Sequence, residues 1–234
     1  MSRPEDTRLV LDHGFIRLVD SMGDDEAIVR NARVSYAANE KTGQDPEGDA
    51  KLIKYLYRNG HNTPFESVEF QFHVKAPIFV FRQWHRHRTW SYNEISARYT
   101  ELPEEFYVPQ VGDVGVQAKG NKQMRTTHDV VDNEVDEHET QIGDMMRESN
   151  FRSFEMYKAL LAEGVPRELA RTVLPVATYS EMYAKVDLSN LFKFLHERLH
   201  EHAQFEIRVY AEAIMQLIAP IVPIAVEAFQ EGRK

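Results

Sequence analysis

Residues 86–98 read RHRTWSYNEISAR and gather cations in a chain whose formal net charge is -9. With Arg82 and His85 just ahead, Arg86, His87, Arg88 and Arg98 surround a single carboxylate, Glu94. Guanidinium groups this close repel one another unless something negative lies among them. Arginine's planar fork matches phosphate oxygens, and Ser91, Asn93 and Ser96 add short polar groups suited to a loop that wraps an anion. A nucleotide or a pyrophosphate-bearing cofactor would supply that anion. The bland alternative is a solvated loop whose arginines pair at random. Trp84, Trp90 and Tyr92 are interleaved with the cations, either as stacking surfaces for a flat ring or as core. The nearest glycine pair, Gly112 and Gly115, lacks both a preceding strand and the GxGxxG pattern. Side chains must therefore hold the phosphates.

The elements that would position this stretch can be read from periodicity. GFIRLVDSM (14–22) reads as a strand, and DDEAIVRNARVSY (24–36) as a short amphipathic helix opened by Asp24 or Asp25. Residues 49–59 place Leu52, Ile53, Leu56 and Tyr57 on one helical face, with Gly60 as terminator. In ESVEFQFHVKAP (66–77), Val68, Phe70, Phe72 and Val74 alternate with Glu69, Gln71 and His73, the period of a half-buried strand. Pro77 suits the first turn of a helix through IFVFRQW, which carries the RHR segment out of the core. Residues 119–163 predict a long helix, frayed or broken near Gly143, with residues 111–150 a peripheral, solvated surface. GVPRELARTVLP (164–175) predicts a helix with Pro166 in its first turn and Pro175 as its stop. VATYSEMYAKV (176–186) is a further strand, Asp187 caps the following helix, and HAQFEIRVYAEAIMQLIAP (202–220) and PIAVEAFQEG (223–232) close the chain as helices. No internal repeat or linker appears. The expectation is a single α/β (α+β) domain over residues 1–234, with a central mixed or antiparallel sheet flanked by helices.

Composition narrows the chemistry. A 42% hydrophobic content can supply a core, and no run approaches the roughly 20 apolar residues of a membrane span. The charged N-terminus, MSRPEDTRLV, makes a cytoplasmic location the default. With no cysteine, disulfides, thiolate metal sites and cysteine nucleophiles are excluded, and any metal would rest on the ten histidines and the carboxylates. The excess of 37 Asp+Glu over 28 Lys+Arg argues against nucleic acid as a partner.

RHRTWSYNEISAR also resembles the signature of flavin-dependent thymidylate synthases, RHRxxSxNExSxR, at Arg86, His87, Arg88, Ser91, Asn93, Glu94, Ser96 and Arg98. The similarity continues through GHNTPFE (60–66), FHVKAPIFVFRQW (72–84), GVPRELARTVLP and HAQFEI (202–207). The resemblance implies reductive methylation of dUMP to dTMP, with 5,10-methylenetetrahydrofolate as one-carbon donor and FAD, reduced by NADPH, as hydride carrier. It also implies a homotetramer with active sites at subunit interfaces. Carried over residue by residue, the dUMP site maps to Gln83, Arg86, Glu94, Ser96, Arg98, Arg171 and Arg198. The FAD site maps to His61, Thr63, Arg86, His87, Arg88, Glu94, Asp187, Asn190 and Lys193. Arg198 is the expected catalytic group, a positive charge beside the uracil ring that stabilises charge developing on it. Ser96 has no obvious adjacent base and reads as a phosphate-binding hydroxyl rather than a nucleophile.

Two rival readings draw on other residues. HERLH (196–200) satisfies HExxH, the signature of zinc-dependent hydrolases, with His196 and His200 as ligands and Glu197 as base. At about 100° per residue, Arg198 lies roughly 160° from His196, on the opposite flank of the stripe Leu188, Leu191, Leu195 and Leu199. One flank, not both, can face an active site. His202 points away from the pair and no third ligand announces itself, so the expectation is no metal. A non-catalytic RNA-binding module, gripping phosphates with arginine and stacking bases on aromatics, conflicts with the acidic remainder of the chain.

Overall fold

The structure, a computed structural model, describes residues 6–122, 124–126 and 133–232. A short strand that periodicity did not announce, β1 (Thr7–Val10), pairs antiparallel with β2 (Gly14–Met22). Their turn requires glycine at position 14, because a Cβ there would lie 2.5 Å from the Val10 carbonyl oxygen and 2.1 Å from the Tyr210 hydroxyl. Helix α1 (Asp25–Val34) is capped by Asp24, whose side chain accepts from the Ala27 amide. Helix α2 (Pro46–Arg58) starts earlier than its apolar face suggests, since Asp45 caps it and Pro46 opens it. A 3-10 turn over Thr63–Ser67 then leads to β3 (Glu69–Pro77).

Phe70, Phe72 and Val74 in β3 are fully buried, while Glu69, Gln71, His73 and Lys75 take the other face, as the alternation requires. Pro77 is the last residue of the strand, with extended backbone, and stands before the first turn of α3 (Ile78–Trp84) rather than within it. The RHR segment leaves this helix at its C-terminal end, as expected, but the residues beyond it are not all loop. Ser91–Glu94 form β4, an edge strand paired with β7 (Tyr179–Asp187). The five strands run in the order β1-β2-β3-β7-β4, every pairing antiparallel. A separate hairpin joins β5 (Val116–Gln117) to β6 (Arg125–Thr126).

Helix α4 (Asn133–Ala162) passes through Gly143 without a break; the part of the sequence expectation covering residues 123 and 127–132 lies outside the described residues. Phe154 and Tyr157 of α4 pack with Ala170, and Phe106, Leu160, Leu161 and Val173 line this second, smaller core. The solvated surface expected over residues 111–150 fails at Glu139, which is 2% exposed and accepts from the backbone amides of Gly112 and Gly115. Pro166 precedes α5 (Arg167–Ala170) as its N-cap, and a 3-10 turn over Arg171–Val173 ends before Pro175. Strand β7 passes directly into α6 (Leu188–Arg198), with Asp187 accepting from the Asn190 amide as expected of a cap. Helices α7 (Phe205–Ile218) and α8 (Pro223–Glu231) complete the main core. Among the described residues no helix is long and apolar enough to cross a membrane.

One contact ties the two ends of the chain together. The buried Asp25 side chain, in α1, accepts from the Ile224 amide at 2.8 Å and the Ala225 amide at 3.1 Å, satisfying two orphan donors at the start of α8. Asp25→Ala leaves both amides without a partner and should cost about 2 kcal/mol. Urea denaturation measures this, and an unchanged midpoint would show that the contact contributes nothing.

Candidate functional site

The sheet places α3 and α6 over one face, where Trp84 and Phe194 meet at 5.0 Å between ring centroids. Both helices end at the same place. There the Arg198 guanidinium donates from Nε to His87 Nε2 at 3.0 Å and from Nη2 to the Gln83 carbonyl at 3.4 Å. That carbonyl belongs to the last turn of α3, whose partial negative charge favours a cation. Glu197 is the nearest carboxylate, but at 3.8 Å it lies beyond hydrogen-bond reach. Burial lowers the Arg198 pKa from its ordinary value; Glu197 opposes this and Arg86 adds to it. A guanidinium stays protonated in such surroundings.

His87 responds in a matching way. Burial pulls its pKa below the usual histidine range, Arg198 reinforces the shift and Glu197 opposes it. An imidazole that accepts at Nε2 carries its proton on Nδ1 and is neutral. Arg198 is therefore hydrogen-bonded by uncharged partners, while Glu197 stands at ion-pair distance, 3.8 Å.

Of the remaining dUMP candidates, Glu94 ends β4, Ser96 and Arg98 lie in the turn after it, Gln83 and Arg86 at the end of α3, and Arg171 in the 3-10 turn after α5. Glu94 accepts from the Ser180 hydroxyl at 2.8 Å, a partner that strand pairing brings across from β7. The Ser96 oxygen accepts from the Arg98 amide at 3.3 Å, leaving its own proton to donate. Arg98 reaches Glu168 at 3.1 Å, and Arg171 donates to the Glu168 backbone carbonyl at 3.4 Å, so one residue gathers both guanidinium groups. All three side chains are exposed. Gln83 donates to the Gln204 side-chain oxygen. Arg86 and Arg88 are exposed at the exit of α3.

Trp84 and Trp90 are core, at 0% and 5% exposure, with their rings edge-on at 5.7 Å. Tyr92 stacks on Trp90 and donates to the His87 and Trp84 carbonyls. These rings are not available as stacking surfaces; they anchor the backbone of the RHR turn.

The other flavin candidates fall elsewhere in the chain. His61 and Thr63 line a cavity of about 430 Å³ with Tyr36, Tyr55 and Arg33, and none of Arg86, His87 or Arg88 lines it. Asp187, Asn190 and Lys193 form a relay: Asn190 donates to Asp187 at 2.6 Å and Lys193 to Asn190 at 3.0 Å. Lys193 lines a second cavity, of about 500 Å³, with Ser189, Asn62 and His196. Each cavity carries a buried polar atom without a partner among the described residues, Arg33 Nη1 in the first and Ser189 Oγ in the second. The polar side chains along the cavities, His61, Thr63 and Asn31 in the first and Asn62, Lys193 and His196 in the second, fit a large polar group such as a flavin nucleotide. Neither Arg33 nor Ser189 carries a motif that would single it out in the sequence.

HERLH does not lie within one helix. Helix α6 ends at Arg198 with Leu199 as C-cap, so His200 falls outside it. The sequence expectation for His202 is corrected for the same reason: beyond the helix its ring meets that of His200 at 4.7 Å. Among the described residues no three His, Asp or Glu are gathered as a metal site. Arg198 and His196 do occupy different flanks, one facing α3 and the other the cavity of Lys193.

Comparison with known proteins identifies the family. Residues 17–224 match the family model described as thymidylate synthase complementing protein. A flavin-dependent thymidylate synthase from Thermus thermophilus is 52% identical over 222 residues, covering 95% of this chain and 77% of the relative. One from Treponema denticola is 48% identical, covering 96% and 82%. Among solved structures, a UMP/dUMP methylase, PolB from Streptomyces cacaoi, bound with 5-Br dUMP, superposes with a TM-score of 0.85 at 36% identity, covering 97% of this chain and 99% of that one.

The His87–Arg198 contact makes a signed prediction. His87 should titrate below its ordinary value of 6.5, and Arg198→Met should move that titration upward, because a neighbouring cation is lost. The unfolded chain takes up the proton first, so this contribution to stability is present above the unfolded value and lost as pH falls through it. Imidazole NMR shifts followed against pH test this, and a downward move in the variant would contradict it.

Proposed function

Because this chain belongs to the family of thymidylate synthase complementing proteins, with residues 17–224 matching its model, we propose that it is a flavin-dependent thymidylate synthase that methylates dUMP to dTMP. One observation carries the reading. A protonated guanidinium, Arg198, is presented beside the arginine-rich turn by hydrogen-bond partners that carry no charge. Carbon 5 of uracil is a poor nucleophile, and density pushed toward it leaves negative charge on the ring, which a fixed cation stabilises. With no cysteine anywhere in the chain, ring activation by thiolate addition is unavailable. The bound flavin would supply hydride chemistry, which requires no protein nucleophile.

On this reading Arg98, Arg171 and the Ser96 hydroxyl receive the nucleotide phosphate. The exposed Arg98–Glu168 pair is worth at most about 1 kcal/mol, so a phosphate can displace the carboxylate without great cost. Gln83, Arg86 and Glu94 complete the dUMP site. The flavin contacts are His61, Thr63, Arg86, His87, Arg88, Glu94, Asp187, Asn190 and Lys193, and FAD is the form whose two phosphates suit so many cations. NADPH as reductant and methylenetetrahydrofolate as carbon donor belong to the same proposal. The distribution of the flavin candidates over different cavities supports a homotetramer in which copies of the chain combine their surfaces into one site. Residues 1–234 would act as one domain. A cytoplasmic location goes with the reading, since its substrates are charged metabolites that do not cross a bilayer.

The purified protein should be yellow, with a flavin absorption band; a colourless protein carrying one zinc per chain would favour the hydrolase instead. Arg198→Ala should keep its flavin yet lose methyl transfer by a factor of about a hundred or more. Activity equal to that of the unmodified enzyme would remove Arg198 from the mechanism. For Arg98→Ala, dUMP affinity should fall about tenfold, the effect of one lost charge-assisted bond. Calorimetric titration with dUMP checks it, and unchanged affinity would contradict the phosphate assignment.

A further inference from the structure

A chain of hydrogen bonds runs from the core to Gln83, and its direction is fixed at the buried end. Glu206, 1% exposed in α7, accepts at Oε1 from the Tyr107 hydroxyl at 2.9 Å and pairs there with Arg125 Nη1 at 2.9 Å. Its other oxygen accepts from Gln204 Nε2 at 2.8 Å. Burial and the neighbouring Glu206 raise the Tyr107 pKa, so this hydroxyl remains a donor. A carboxylate in an ion pair can only accept, so Gln204 must turn its amide nitrogen toward Glu206 and its oxygen outward. That oxygen can also only accept, so Gln83 must give it an N–H, as is seen. What remains on Gln83 is its side-chain oxygen, Oε1, which has no hydrogen-bond partner among the described residues. Reversing either amide would set oxygen against oxygen.

We propose that Glu206 and Gln204 are positioning residues that lock the Gln83 amide with its oxygen presented to the nucleotide, where it accepts from a donor of the bound pyrimidine nucleotide. The inference rests on the reading of Gln83 as part of the dUMP site. Two groups of dUMP could supply the donor, the ring N3–H and the sugar 3′-hydroxyl. In either case the relay contributes selectivity, since an analogue without that donor leaves the oxygen facing it unpaired.

The test uses the flavin-loaded enzyme and a double-mutant cycle on Gln204→Met and Gln83→Met, with dUMP, N3-methyl-dUMP and the 3′-deoxy analogue of dUMP as ligands. Each single variant should weaken dUMP binding about tenfold, and the double variant should be no weaker than Gln83→Met alone. The loss should appear in KM, with kcat changed by about twofold at most. The unmodified enzyme should disfavour one of the two analogues about tenfold, and Gln204→Met should abolish that preference. The analogue affected identifies the donor. Glu206→Gln, whose amide can both donate and accept, frees Gln204 to reverse and should likewise abolish the preference; should that buried change prevent folding, the exposed Gln204→Met still decides. Additive losses in the cycle, or a preference that survives Gln204→Met, overturn the relay while leaving Gln83 in the site. If Gln83→Met leaves dUMP affinity unchanged, Gln83 itself leaves the site, and the relay fails with it.

Discussion

The constraint on which the site depends is that a half-buried cation must be held in place by hydrogen bonds to uncharged groups. Arg198 is half-buried and stands near another arginine, a position that a carboxylate would ordinarily relieve. Here the nearest carboxylate, Glu197, pairs at 3.8 Å without a hydrogen bond, and the guanidinium spends its donors on a neutral imidazole and a helix-terminal carbonyl. The arrangement works only if His87 stays unprotonated, which its burial and the cation itself favour. Arg198 and His87 thus set each other's chemical state: the arginine keeps the histidine neutral, and the neutral histidine leaves the arginine's charge available.

Everything around that pair keeps the ends of α3 and α6 together. Strands β3 and β7 pair directly, Pro77 opposite Tyr179 and Glu69 opposite Asp187, and each passes without a loop into its helix. The packed rings of Trp84, Trp90 and Phe194 then fix how the two helices converge. Tyr92 adds two hydrogen bonds that pin the RHR turn from below. The aromatic residues between the arginines thus act as a rigid base, which lets exposed guanidinium groups be placed without giving up their contact with solvent. The pairing of β4 with β7 adds the outer edge, delivering Ser180 to Glu94.

Several features were legible because local rules decide them. The inward alternation of Phe70, Phe72 and Val74, the caps at Asp24 and Asp187, and the Leu188–Leu191–Leu195 stripe all depend on neighbours within a few residues, and all stand as read. The prolines misled by a single position. Pro77 and Pro166 sit just before their helices, because a fixed φ suits the extended entry as well as the first turn. Strand β4 was missed because it is short and mostly exposed; its pairing with β7, not its own pattern, makes it a strand. HERLH misled in the opposite sense, since its spacing implies a helical face only where the helix continues.

By itself the sequence determined the chemical inventory: the arginine-rich turn, the absence of cysteine, the placement of Arg198 and His196 on opposite flanks of α6, and the resemblance that named a reaction. Those depend on residue identity and on spacing along one element. Only the tertiary structure decided which residues meet: His87 with Arg198, Glu94 with Ser180, Gln204 between Gln83 and Glu206, and Glu168 between Arg98 and Arg171. Partners such as His87 and Arg198, 111 residues apart, are chosen by the packing of whole helices and strands, and no local pattern records that choice. The protonation state of His87 has the same origin, because desolvation and a neighbouring charge exist only once the chain has folded.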